Sequence, residues 1–262
     1  RRRRSRIPAT CSRCRTSDKL LAVPVTASGI CGVITIDYFS DTLCVWAYAG
    51  QIRLNELQRE FGEHVLVRHR FMPLFADSAT RIGVGWEDQG GFAGFAGHLR
   101  EVCAQWEHTR LHPEVWETCR PTSCMTSHVF LKAVSLCMDF DSGEGAGDRQ
   151  ARGRYDALVE RTRCAFFEQA QDISRLPVLL DLLAPLDLSA QAIRDRIDSG
   201  EAYAALHGDA ELMKAHGVQG SPTLVFNEGR QLLYGNVGYR IIESNVRELL
   251  SAGHAAGEPS WC

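Results

Sequence analysis

The chain switches between two hydrophobic periods. Val33-Ile34-Thr35-Ile36-Asp37-Tyr38 is a β-branched run with Gly32 before it and Ser40-Asp41 after it, which predicts a strand. From Cys44 to Phe61 the period lengthens. Trp46, Ala49, Gly50, Leu54, Leu57 and Phe61 recur every three or four residues, the spacing of one helix face, and Gly62 closes it. His64 to Phe71 predicts a second strand, stopped by Pro73. Two strands joined by a helix form a βαβ unit, in which the strands lie parallel.

The middle of the chain reads differently. Residues 76–97 are Gly-rich and show no clear period, after which helical spacing predicts helices over 97–109, 112–120, 123–138, 152–170, 174–183 and 189–198. The acidic, Gly-rich stretch from Asp139 to Asp148 predicts an exposed loop between two of them. Strands return at Thr223–Asn227 and Gln231–Tyr234, joined through Glu228-Gly229-Arg230 as a hairpin. A last helix, from Tyr239 to Ala252, carries Ile241, Ile242, Val246, Leu249 and Leu250 on its buried side. The order is therefore βαβ, a helical block, then ββα. It folds as one unit only if the last strands pair with the first.

Composition narrows the picture. A chain of 262 residues, 45% hydrophobic and 23% charged, fits one large domain or a domain with a sizeable insertion. No run reaches the roughly 18 apolar residues that cross a bilayer, so no membrane partner is expected. The net charge of −3 conceals an asymmetry: residues 1–19 hold eight basic residues against Asp18 alone, and the body is acidic. Nucleic-acid binding would rest on that arm while the body repelled phosphate, so no nucleic-acid partner is expected either. Residues 1–30 read as a basic extension outside the folded body and 253–262 as a loose tail. An export signal would use the apolar run Leu20 to Val25, but the run is short and contains Pro24. Ten irregularly spaced cysteines suit free thiols in a reducing compartment, and a cytoplasmic protein is the expectation. Cys11-x-x-Cys14, with Cys119 and Cys124 as a second pair, has zinc-like spacing, but no His pair accompanies it and no metal is expected. His64 and His69 read as satisfied strand side chains. His98, His108, His112 and His128 show no ligand spacing with a carboxylate partner.

The candidate chemistry lies at Asp41-Thr42-Leu43-Cys44-Val45-Trp46-Ala47-Tyr48, where a cysteine follows a strand and opens a helix. The thiolate is the reactive form of cysteine, and a helix N-terminus favours negative charge. Ala47 occupies the place where a dithiol site would carry its second cysteine. The competing reading of Cys44 is an inert, half-buried thiol.

The stretches Ile36 to Gly50 and Gly217-Val218-Gln219-Gly220-Ser221-Pro222-Thr223-Leu224-Val225-Phe226 resemble the DsbA-like branch of the thioredoxin superfamily. Its similar members are FrnE-type dithiol oxidoreductases, 2-hydroxychromene-2-carboxylate isomerases and kappa-class glutathione transferases. The resemblance implies an α/β, thioredoxin-like fold with a mixed sheet, built from residues 31–75 and 215–252, with 76–214 as an inserted helical domain. It places Cys44 at the nucleophile position and Trp46 at the aromatic one, with Val45 in place of proline and Ala47 in place of the resolving cysteine. Ser221-Pro222 matches the cis-proline loop that faces the nucleophile and leaves the Ser221 backbone free to pair with an extended thiol substrate. On this basis Cys44 is the expected catalytic residue, and Val45, Trp46, Ala47, Ser221 and Pro222 contact substrate.

The implied activity is monothiol thiol–disulfide exchange on a protein or glutathione substrate, without a bound cofactor. Glutathione as co-substrate, or one of Cys103, Cys119, Cys124 and Cys137, would resolve the mixed disulfide. The alternatives are a glutathione-dependent transferase or isomerase, in which Cys44 hydrogen-bonds or activates the glutathione thiol, and a non-catalytic binding module. A homodimer is also compatible with the sequence.

Overall fold

A computed structural model describes residues 33–139 and 149–251. The basic extension, Cys11-x-x-Cys14, the Leu20–Val25 run, nearly all of the acidic loop and the tail lie outside the described residues. The first half of the pattern folds as its periods require: β1 (Ile34–Ser40), α1 (Val45–Phe61) and β2 (Val65–Phe71) form the βαβ unit, and β1 and β2 are parallel. At the other end β3 (Thr223–Phe226) and β4 (Gln231–Tyr234) form an antiparallel hairpin, followed by the C-terminal helix Tyr239–Ser251. β3 pairs antiparallel with β1, Ile36 opposite Phe226 and Phe39 opposite Thr223, so the mixed sheet runs β2-β1-β3-β4. The last strands do pair with the first.

Between β2 and β3 the chain forms α2 (Gly91–Cys103), α3 (Met125–Cys137), α4 (Arg149–Phe167), α5 (Leu176–Asp181), α6 (Ala190–Asp198) and α7 (Glu201–Ala215); the C-terminal helix is α8. Two large apolar clusters organise the described residues, beside a smaller one of Phe39, Met72, Val218 and Val225. One lies on the sheet, where Ile34, Ile36 and Tyr38 of β1 and Val65 and Val67 of β2 meet Leu54, Leu57 and Phe61 of α1 and Ile242, Val246 and Leu249 of α8. The other fills the helical block around Trp116, Phe130 and Phe166, and it also takes in Leu43, Val45 and Tyr48 from the start of α1. The strand-to-helix turn after β1 is therefore clamped between both cores.

The helical block departs from its sequence pattern in three places. Residues 112–120 are not helical: Trp116 has φ 62°, and Val115 and Cys119 make an isolated bridge. Trp116 is fully buried with its ring stacked 5.7 Å from Phe75 and edge-on 5.1 Å from Phe166, so ring packing overrides the helical spacing there. Helix α2 starts at Gly91 and ends at Cys103, earlier than 97–109, after a π-helical turn over Ala79–Val84. Helix α7 was not legible at all. Its buried face is Ala202, Leu206 and Asp209, and a charged residue at a core position erases the apolar period. The Asp209 carboxylate accepts from Lys132 Nζ at 2.8 Å and from Phe71 N–H at 2.9 Å, which ties α7 to α3 and to the end of β2.

Candidate functional site

The site is the turn Asp41–Cys44 between β1 and α1, facing the loop that precedes β3. Asp41 organises it. Its carboxylate accepts from Leu43 N–H at 2.8 Å and Phe75 N–H at 2.9 Å, and its own N–H donates to Ser221 Oγ at 3.0 Å. Its carbonyl accepts from Cys44 N–H at 3.2 Å. Cys44 is the N-cap of α1, with extended backbone at φ −82° and ψ 115°. The thiol Sγ donates to the Ser221 carbonyl at 3.4 Å, and the Ser221–Pro222 peptide bond is cis.

The six residues singled out from the sequence do meet here, but not equally exposed. Cys44 is 4% exposed, Ser221 9%, and Pro222 is buried. Val45 packs into the helical core and Ala47 is fully buried. Trp46 is half-buried and meets Trp106 edge-on, 5.5 Å between ring centres. Sequence reasoning missed Trp106, which comes from the loop after α2, and Tyr234 of β4. The Tyr234 ring lies across Gly220, where an added Cβ would come within 2.5 Å of it. Neither carries a local signal, because only β-pairing and helix packing bring them to the turn.

Burial pushes the Cys44 thiol above its ordinary value of 9.0, and the Asp41 charge adds to this. A hydrogen bond from the Ser221 side chain and the Ala47 and Trp46 N–H groups pull in the other direction and do not prevail. Cys44 is thus a thiol at neutral pH, which corrects the expectation of a thiolate held by the helix start. A helix N-terminus contributes about 0.3–1 kcal/mol to a nearby anion, less than the cost of removing that anion from water.

Four other thiols are no better activated. Burial raises Cys103, Cys119 (to about 11), Cys124 and Cys164 (to about 12). Cys124 is fully buried and donates its S–H to Asp41. His128, which the sequence left without a carboxylate partner, has Nε2 3.7 Å from Asp41 Oδ1 across the fold. The same Nε2 accepts from Thr42 N–H at 3.2 Å, and the ring stacks on Phe71 at 5.1 Å. Burial works against the Asp41 carboxylate, yet His128 and the Leu43 and Phe75 N–H groups outweigh it and hold its pKa below 3.8. Asp41, Cys124 and His128 lie close enough together to ligate an ion. However, both Asp41 oxygens and His128 Nε2 are already engaged by backbone N–H groups, so the cluster is better described as the buried brace of the turn.

No protein-family model matches the chain, and no curated protein matches it by sequence. Solved structures do match by shape. A Nitrosomonas europaea protein, provisionally named a protein disulfide isomerase, is 18% identical with a TM-score of 0.61 over 84% of this chain and 97% of its own. The cytosolic disulfide reductase DsbM from Pseudomonas aeruginosa, solved also with GSH, is 22% identical with a TM-score of 0.55 over 81% of this chain and 98% of its own. A 2-hydroxychromene-2-carboxylate isomerase is 15% identical with a TM-score of 0.54 over 86% of this chain and 100% of its own. By shape, the chain has the thioredoxin-like fold of these structures.

Proposed function

We propose that this chain is a thiol–disulfide oxidoreductase that works through the single thiol of Cys44, with glutathione as co-substrate. The observation that carries the reading is the sulfur at the N-cap of α1, 3.4 Å from the carbonyl of a residue bonded in cis to proline. Cys44 first loses its proton to solvent or an incoming base. The thiolate attacks one sulfur of a disulfide; a new S–S bond forms, the old one breaks, and the second sulfur leaves as a thiolate. A glutathione thiolate then attacks the partner sulfur, taking the substrate half and returning Cys44 as a thiolate. Ala47 offers no sulfur for that step, and burial disfavours the thiolates of Cys103, Cys119, Cys124 and Cys164, which favours an external thiol as the group that resolves the intermediate. The Ser221 N–H has no partner among the described residues and is free to donate to a backbone carbonyl of an extended substrate. The P. aeruginosa reductase solved with GSH supports glutathione as the small thiol.

One observation favours a second reading. A Cys44 that keeps its proton is a donor, and its S–H could turn from the Ser221 carbonyl to a bound glutathione thiolate, as a transferase or isomerase would need. Mass spectrometry after treatment with excess oxidised glutathione separates the two. The oxidoreductase gives one adduct, lost in Cys44→Ser. Modification spread evenly over the ten cysteines counts against it. No adduct, together with glutathione binding that survives Cys44→Ala and turnover of an electrophile, establishes the second reading. No adduct, no binding and an alkylation rate like that of free cysteine leave a binding module.

A further inference from the structure

Among the described residues β2 forms one edge of the sheet, and no strand pairs with its outer side. Ile34 N–H donates to His64 O and Met72 N–H to Ser40 O, so in this parallel ladder the even-numbered residues of β2 face β1. The N–H and C=O groups of Val65, Val67 and His69 therefore point outward, and none has a partner among the described residues. The next outward N–H, that of Phe71, is closed by the Asp209 carboxylate, so the open stretch has a defined end.

The edge is also recessed. It forms the floor of two adjoining cavities of about 960 Å³ and 640 Å³, which share Val67, Arg68, Arg152 and Asp156. Their walls present small residues, Gly153 and Ala157 on α4 and Ala204, Ala205 and Gly208 on α7. A Cβ added at Gly153 or Gly208 would meet nothing within 4 Å, so both walls leave room for side chains. Two polar groups look for partners there. Arg68 lines both cavities with no ion pair or hydrogen bond to its side chain among the described residues. The His69 side chain is 2% exposed, lines the second cavity and bonds Asp156 at 3.0 Å through Nε2, while its Nδ1 has no partner.

We propose that this edge is a docking site for an extended polypeptide segment of a partner protein, which adds a strand to β2 and places an acidic side chain opposite Arg68. The backbone groups of Val65, Val67 and His69 supply the ladder, and alternate apolar side chains of the segment enter the small-residue walls of α4 and α7. An isolated extended chain can enter between those walls without bringing a second sheet with it.

The probe is a capped nine-residue peptide of alternating valine and threonine with a central glutamate and a terminal fluorophore. Fluorescence anisotropy should show saturable binding, and hydrogen exchange should slow at the Val65, Val67 and His69 amides when peptide is added. Arg68→Glu should weaken binding about tenfold, and a central lysine in the peptide should restore it. Gly208→Trp should abolish binding by filling the groove, with thermal unfolding used to verify that the variant folds. Adduct formation at Cys44 should be the same in both variants, so the outcome is independent of the proposed activity. Absence of saturable binding at millimolar peptide, or binding without protection of those three amides, overturns the proposal. So does protection before any peptide is added, or protein self-association that Gly208→Trp removes.

Discussion

The turn at Cys44 and the open edge of β2 belong to the same four-stranded sheet but treat their polar groups in opposite ways. At the turn, nearly every donor and acceptor is used: Asp41 alone engages Leu43, Phe75, Cys44 and Ser221. Along β2, three backbone residues and the His69 ring face a groove with their capacity unspent. Reactive chemistry needs a fixed geometry, and the turn gains it from a buried network at the cost of a sulfur that resists ionising. Recognition of a flexible segment needs the reverse, unpaired groups on a rigid floor. Satisfied polar groups therefore mark the candidate catalytic region here, and unsatisfied ones mark the candidate docking region.

The largest effect that would test this contrast lies at the boundary between the two. Asp209 closes the end of the open edge and sits beside the buried Lys132 and Arg70. Burial raises its carboxyl even with both cations adjacent. Asp209→Ala leaves Lys132 buried and unpaired, and urea unfolding should show a loss of about 3–5 kcal/mol. A loss below about 1 kcal/mol, the scale of a surface pair, would show that water reaches Lys132 and that the edge is not sealed there.

A second test concerns the sulfur. Because burial raises the Cys44 pKa, its alkylation rate should keep climbing above pH 9.0 instead of levelling near neutrality. The folded state disfavours the thiolate, so the stability linked to Cys44 is present below pH 9.0 and is lost as the pH rises further. For Asp41 the sign is opposite. Its pKa is held down, so its contribution is present above pH 3.8 and is lost as the pH falls below it. Asp41→Asn removes a negative charge near Cys44 and should move the alkylation profile to lower pH by up to about one unit. A profile that stays in place would mean that burial alone sets the reactivity of Cys44.

The smallest effect is expected at Gly220, which lies beneath the Tyr234 ring. Gly220→Ala places a Cβ 2.5 Å from that ring, but Tyr234 is 64% exposed and can swing aside. Thermal unfolding should report less than about 1 kcal/mol, with a changed rate of glutathione adduct formation if the ring borders the substrate path. A larger loss would show that Tyr234 belongs to the core.

Much of the fold was legible because its two periods were clean. The β-branched runs of β1 and β2, the helical face of α1 and the turn residues of the β3–β4 hairpin each specify a local structure that tertiary packing only has to accept. The helical block was legible where enough apolar residues recur at helical spacing, as in α3, α4 and α6, even with Lys132 and Arg163 buried among them. It was misleading elsewhere. Asp209 interrupts the buried face of α7, and the helical spacing around Trp116 yields to a cluster of aromatic rings.

The candidate site divides along the same line. Cys44, Trp46, Ser221 and Pro222 could be named from two short stretches because local order sets the strand-to-helix turn and the proline loop. What became of Cys44 could not be read in that way. Its protonation depends on how little water reaches it, on a serine 177 positions away, and on an aspartate braced by His128 and Phe75. Those contacts exist only once the first and last strands pair and the helical block closes over them. Sequence by itself determines the elements and the reactive residue types, since these follow from periodicity and turn chemistry over a few neighbours. Only the tertiary structure decides solvation, partner choice and which strand edge stays open, since each is the sum of contacts from segments far apart in the chain.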